Sequence, residues 1–435
     1  MSFWGDHAPS RRCAWIDQLR GWAVIVMIEV HCLNVWLAGG LLPRWLDYMN
    51  GLVAPSFILC AGYSLVLSTF RADGTLRPFA PTARRLAVIL LCGYILHAPG
   101  MRLVDFTLLV TPQRLRELAT FDVLHCIAVS LLVLQGLARL VRRPRVFAVV
   151  ALALGVAVAW AAPHLWAPGV ADGWWLPVRG MVNGNMDRGV RALFPLFPWL
   201  SFAAFGAVLG VLYRELRVTA RADRALWSEA QWLLAMAGLG LALIGWAYTA
   251  RGWLWHGGWP PAEAARLHNT TLPSVLQRAG VALLAGAALG GIDRLRRRWP
   301  GPNLVETASR ESLLIYMLHL LLIFRLMLAA GVRMRTGWDR HSQAWGGSLG
   351  LTVLVMSISL AVALLWQHLR TTPARTAKLT RVGLAAVGAY FVLGGWFTVS
   401  YFIRHPEEAR EPYLFIDWAR TRKGLPPLPP EGPAV

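Results

Sequence analysis

Charge is what this chain has least of. Asp, Glu, Lys and Arg together occupy 15% of 435 positions, whereas 56% are hydrophobic and the mean hydropathy is +0.47. A soluble domain with a solvated surface carries about 25% charged residues, so that class is excluded and the chain belongs in a membrane. Cysteine is scarce as well. Cys13, Cys32, Cys60, Cys92 and Cys126 show neither close pairing nor metal-type spacing, which excludes a disulfide-stapled scaffold and a zinc site and leaves them as small apolar packing residues. No internal repeat supports an inverted-repeat transporter. A persuasive small-residue cleavage site is also missing after the leading segment with Arg11 and Arg12. The first apolar run, longer than a signal-peptide core, is therefore expected to stay attached as a span.

What the chain has instead is a series of apolar runs. Eleven lie near residues 18–39, 49–70, 84–100, 119–140, 145–162, 191–213, 230–250, 272–292, 310–331, 345–368 and 381–403. Each approaches the roughly 20 residues that a helix needs to cross a ~30 Å hydrocarbon core. The expected fold is all-α, a polytopic bundle of about 11 transmembrane helices (10 to 12), forming one membrane domain over 1–403. The tail, 404–435, is polar and ends in GLPPLPPEGPAV, a Pro-rich stretch expected to be disordered. The longest outer loop, Pro163 to Val190, is about the length of one lid or surface helix and contains DGWWLPVRGMVNGNMDRG, whose indoles suit the interface.

The net charge of +20 is unevenly placed. With the N-terminus cytoplasmic, inner segments hold Lys and Arg over outer loops by about two to one, in clusters such as RRPR and RLRRR, which is the positive-inside pattern. Anionic lipid explains the charge. Nucleic acid is excluded as a partner because no soluble domain is left to carry a reading surface. The localisation expected is a bacterial inner (cytoplasmic) membrane, with oligomerisation left open.

Against that apolar ground, a few ionisable residues inside spans stand out, since each Asp or Arg at such depth costs about 2.5 kcal/mol or more and must face protein or water. In IDQLRGWAVIVMIEVH, Arg20 and His31 are eleven positions apart, which leaves them about 20° apart around a helix and roughly 16 Å apart along it. Asp17, one turn before Arg20, shares that face, and the two could simply pair at the helix end. Glu29 points almost opposite His31. Asp122 and His125 lie one turn apart at the outer end of the fourth span, so a carboxylate could orient an imidazole, or both could bind a polar acceptor. His319 lies about a third of the way into the ninth span, and Arg278 and Arg325 are further intramembrane cations needing partners.

The IDQLRGWAVIVMIEVH stretch resembles the first-span signature of the acyltransferase-3 type membrane acyltransferases, an Arg and a His separated by ten residues. APSFILCAGYSLVLS, with Ala61, Gly62 and Tyr63, resembles the second helix, and FAPTARRLAVIL, with Arg84 and Arg85, the basic start of the third. DVLHCIAVSLL, PLFPWLSFAAFGAVLG and SRESLLIYMLHLLL are similar, in order, to the heparan-alpha-glucosaminide N-acetyltransferase branch and its bacterial relatives. One departure matters. Where that branch has a functional His before Trp-Asn-Gly, this chain reads RWLDYMNGLV; Asn50 and Gly51 survive but the imidazole does not.

The resemblance implies acetyl-CoA or another acyl-CoA as donor, no metal, and a glycan or glycolipid acceptor modified on a sugar amine or hydroxyl at the outer face. It assigns His31 as base or acyl carrier, and the spacing of Asp122 and His125 makes them further catalytic candidates. It makes Arg20, Arg84 and Arg85 the donor's phosphate contacts. Asn50, Tyr63, His319 and Arg278 become candidates for substrate binding. The alternative is a transporter or flippase for a glycan, lipid or small anion, since intramembrane Arg, His and Asp also mark conduction paths.

Overall fold

Lipid offers no partner to a backbone N–H or C=O, so each apolar run must close its hydrogen bonds within itself as a helix. The computed structural model of the protein describes residues 13–167, 169–184, 192–218, 227–254, 267–296, 303–327, 340–370, 372–409, 413 and 415–428. In chain order the helices are α1 (Ala14–Trp36), α2 (Arg44–Asn50), α3 (Val53–Thr69), α4 (Ala80–Leu96), α5 (Leu103–Thr107), α6 (Pro112–Glu117), α7 (Val123–Val141), α8 (Pro144–Leu165) and α9 (Leu176–Val182). They continue with α10 (Leu196–Tyr213), α11 (Glu229–Leu254), α12 (Leu272–Arg296), α13 (Leu304–Arg310), α14 (Ser312–Leu320), α15 (Trp345–Leu369), α16 (Pro373–Leu393), α17 (Trp396–Arg404) and α18 (Ile416–Arg422).

Among the described residues nine passes are long and apolar enough to cross a bilayer, with α2 joined to α3 and α16 to α17. The 17-residue α4 and the apolar stretch Ser312–Met327, α14 and its π-helical continuation, are shorter. Counting them as passes agrees with the eleven runs of the sequence. The described residues form no sheet, only isolated bridges such as Leu37 with Gln343 and Phe121 with Ala192. The chain is an integral membrane helix bundle. Residues 328–331 of the ninth run, 185–190 of the long loop and 429–435 of the tail lie outside the described residues.

The first helix is the axis of the bundle. It packs against α3, α12, α13, α14 and α15, and Trp15, Ile28, Cys32 and Trp36 along it are buried. Polar ties hold its first turns: Gln18 Nε2 donates to Asp293 Oδ1 of α12 at 2.9 Å, and Arg20 Nε donates to Ser309 Oγ of α13 at 3.0 Å. Glycine permits the closest crossing. A Cβ on Gly62 of α3 would stand 1.9 Å from the Ala203 carbonyl oxygen, and one on Gly206 of α10 would stand 2.0 Å from that of Leu59. Without a hydrophobic drive between helices in lipid, such small-residue contact is what binds α3 to α10.

Part of the arginine excess serves the fold. Buried Arg214 donates to the Arg71 and Ala72 carbonyls, each at 2.9 Å through Nη2, and Arg139 Nη2 reaches the Arg77 carbonyl at 3.3 Å. These clamps fix the turn between α3 and α4. Within that turn the Thr75 backbone N–H, with its hydroxyl, keeps the Asp73 carboxyl below its ordinary pKa.

Two expectations change. The eleventh run is a pair of helices, broken at Gly395, whose φ of +84° lies in the left-handed region that favours glycine. The tail is ordered in part: α18 forms, and Arg420 donates to the carbonyls of Pro406 at 3.0 Å and Pro426 at 2.7 Å while Ile416 and Ala419 pack inward. One buried guanidinium supplies the donors that the prolines lack.

Candidate active site

His31 sits in the fifth turn of α1, and helix geometry sets its tautomer. Its Nδ1 lies 2.8 Å from the Met27 carbonyl oxygen, one turn earlier. A carbonyl only accepts, so Nδ1 carries the proton. The same arrangement recurs on α14, where His319 Nδ1 lies 2.8 Å from the Ile315 carbonyl oxygen. His319 Nε2 is therefore a bare acceptor, and it faces His31 Nδ1 at 3.3 Å. One assignment satisfies all three contacts: both rings neutral and Nδ1-protonated, with the His31 N–H shared between Met27 and His319. The ring centroids are 5.1 Å apart. His319 is fully buried, whereas His31 keeps some accessible surface. The His31 Nε2, with no hydrogen-bond partner among the described residues, is left as the basic atom.

Asp122 closes the next layer. It is the N-cap of α7, its Oδ1 taking the Val123 backbone N–H at 2.6 Å. Its Oδ2 accepts from the Tyr316 hydroxyl at 3.3 Å and stands 3.5 Å from His97 Nε2, just past the end of α4. The Tyr316 ring stands edge-on to His319, with centroids 5.6 Å apart. Four helices thus converge: α1 brings His31, α14 brings Tyr316 and His319, α7 brings Asp122 and His125, and the end of α4 brings His97.

The pairing within this group differs from the one read in the sequence. The Asp122 carboxylate meets His97 rather than His125, because an N-cap side chain turns back over the helix start. His125, three residues on, instead accepts the Asp122 backbone N–H at its Nδ1, 3.3 Å away. Its ring lies against Gly93 of α4, where a Cβ would come within 2.7 Å of Cε1. His97 and Tyr316 were not singled out from the sequence. Tyr316 could have been, since it precedes His319 by three residues and shares its helix face. His97 could not, because it ends an apolar helix with nothing beside it in sequence.

The other candidates lie apart from this cluster. Arg20 forms an ion pair with Asp17 at 3.0 Å, and Ser309 Oγ donates to the same Asp17 oxygen at 3.3 Å. Arg84 is exposed and Arg85 half-buried, both in the early turns of α4. Asn50 is buried and, with its amide nitrogen facing its acceptors, donates to Glu29 Oε2 at 3.2 Å and the Leu46 carbonyl at 3.3 Å. Tyr63 is fully buried, its hydroxyl on Cys13 Sγ at 3.2 Å and its ring 4.9 Å from that of Trp15. Trp15 precedes His31 by sixteen residues, about 24 Å along α1, so Tyr63 belongs to the opposite end. Arg278 Nη2 donates to Asn269 Oδ1 at 2.8 Å.

Residues 12–248 match the family described as heparan-alpha-glucosaminide N-acetyltransferase, catalytic. Among curated proteins none matches the chain. The matched stretch, more than half of the sequence, carries His31, His97, Asp122 and His125, and ends before Tyr316 and His319. With its transmembrane bundle and that match, the chain belongs to the heparan-alpha-glucosaminide N-acetyltransferase catalytic family.

Proposed function

We propose that the protein moves an acyl group, acetyl in the first instance, from acyl-CoA in the cytosol to a sugar amine or hydroxyl at the outer face of a bacterial inner membrane, its N-terminus cytoplasmic. The observation that carries this reading is the His31 imidazole, held on the Met27 carbonyl and His319 through Nδ1, which leaves Nε2 without a hydrogen-bond partner among the described residues. A ring fixed in that tautomer is a ready general base. The acceptor gives its N–H or O–H proton to His31 Nε2 as its nitrogen or oxygen bonds to the thioester carbon. The C–S bond breaks, and the departing CoA sulfur takes the proton back from His31, which ends neutral. His319, accepting from Nδ1–H, favours the imidazolium that forms in between. Asp122, anchored by Val123 and facing Tyr316 and His97, positions the α4, α7 and α14 side of the site, with His125 behind it.

The donor's phosphates are assigned to the Arg20 end, where Arg84 and Arg85 also lie; Arg20 would share its guanidinium with Asp17 and Ser309. The ~16 Å rise from Arg20 to His31 suits an extended thioester arm. Because RWLDYMNGLV lacks the family's loop imidazole, the acceptor is assigned to a sugar other than the heparan glucosamine of the family's description. No observation favours the transporter reading.

Purified protein in nanodiscs, given labelled acetyl-CoA and candidate glycans, tests this. His31→Ala should lose acyl transfer by about 100-fold or more while keeping its fold and donor binding. Wild-type turnover in that variant refutes the assignment.

A further inference from the structure

Among the described residues no carboxylate pairs with Arg278. This arginine lies in the membrane-spanning α12, six residues after the helix begins, about 9 Å along the helix from that end. Its one hydrogen bond among the described residues goes to a neutral amide oxygen, Asn269 Oδ1, at 2.8 Å. Among the described residues the phenol of Tyr48 on α2 is a further electrostatic neighbour. Arg20 and Arg214, by contrast, each meet a carboxylate, that of Asp17 and that of Glu215. A half-buried guanidinium at that depth is costly without a counter-charge, and the first turns of a helix disfavour a cation further.

The position is distinct from the acyl-transfer centre. Trp15 on α1 packs against Gly286 and Gly290 of α12, which marks the side of α1 that α12 covers. Sixteen steps of ~100° carry the helix from Trp15 to His31, about 160° around. His31 is therefore turned away from the face of α1 that α12 covers at Trp15, while the Tyr48 beside Arg278 lies two residues before Asn50, whose amide meets Glu29 on α1.

We propose that Arg278, with Asn269 and the Tyr48 hydroxyl, binds a phosphate ester. The guanidinium presents two parallel N–H donors to two phosphate oxygens, Asn269 holds its orientation, and the phenol adds a third donor. The location, within a span yet close to the headgroup layer, suits the phosphate of a membrane lipid; a water-soluble phosphate would use the same donors. This assignment does not depend on the acyl-transfer reading.

The full chain, solubilised in a neutral maltoside detergent, is titrated with phosphatidylglycerol, with the neutral diacylglycerol of the same chains, and with inorganic phosphate. Thermal unfolding and lipid retention by native mass spectrometry are read in parallel. Phosphatidylglycerol should raise the melting temperature and remain bound, diacylglycerol should not, and Arg278→Gln should weaken the lipid response at least tenfold, with Arg278→Lys between. A response to inorganic phosphate that Arg278→Gln abolishes assigns the site to a soluble phosphate instead and upholds its chemistry. Equal responses of wild type and Arg278→Gln, or none in the wild type to either probe, overturn the proposal. If Arg278→Gln does not fold, Asn269→Ala and the wild-type titration decide in the same way.

Discussion

The two-histidine contact can be taken apart at one atom. If His31 is the base and His319 only shares its Nδ1 proton, deleting that share leaves the Met27 carbonyl to hold the tautomer. The loss is then one neutral hydrogen bond, about 0.5–1.5 kcal/mol, which is roughly a 2- to 13-fold fall in rate. Deleting His31 itself should cost about 100-fold or more. Substitutions at 319 can separate position from chemistry. Gln places a side-chain oxygen near where Nε2 stood and should accept from His31, so His319→Gln should lie close to wild type. Asn reaches only as far as Nδ1, keeping the bond to the Ile315 carbonyl but not the one to His31, so His319→Asn should fall within that 2- to 13-fold range. The assay is single-turnover acyl transfer at saturating donor, with thermal unfolding to confirm that each variant is folded. A folded His319→Asn as inactive as His31→Ala, with His319→Gln no better, would refute the assignment and make His319 the reacting imidazole.

Arg20→Ala should raise the KM for acyl-CoA with little change in kcat, and lower the melting temperature because Asp17 and Ser309 lose their shared partner; steady-state kinetics with an unchanged donor KM would count against the phosphate role. Gly206→Val should force α3 and α10 apart, since even a Cβ there would lie 2.0 Å from the Leu59 carbonyl; overpacking of this kind costs about 1–3 kcal/mol or more, read as a lower unfolding temperature in detergent.

How much of the site could be read beforehand depends on whether its parts lie on one helix. Arg20 and His31 could be set on a common face from their spacing, because the rise and turn of an α-helix are fixed by backbone geometry. The Asp17 to Arg20 pair followed from a three-residue interval in the same way. Asp122 and His125 were recognised as a unit, yet their bonding was misassigned: the N-cap role turned the carboxylate towards His97, 25 positions earlier in the chain. Tyr63 looked like a substrate contact but lies in the core with Cys13 and Trp15. A span's apolar pattern does not say which neighbour covers which face when nearly every side chain is apolar.

The sequence by itself determined that the chain lives in a membrane, that it crosses it about eleven times as helices, and where the costly ionisable residues stand along each rod. These follow from hydropathy, bilayer thickness and the need to close backbone hydrogen bonds internally. The tertiary structure alone decided that His31 meets His319, 288 positions further along the chain, that Tyr316 and His97 share one carboxylate, and that Arg278 meets Asn269. Such encounters depend on helix rotation and crossing, which in lipid are set by small-residue contacts such as Gly62 on Ala203 and Gly21 on Val305 rather than by any hydrophobic stripe.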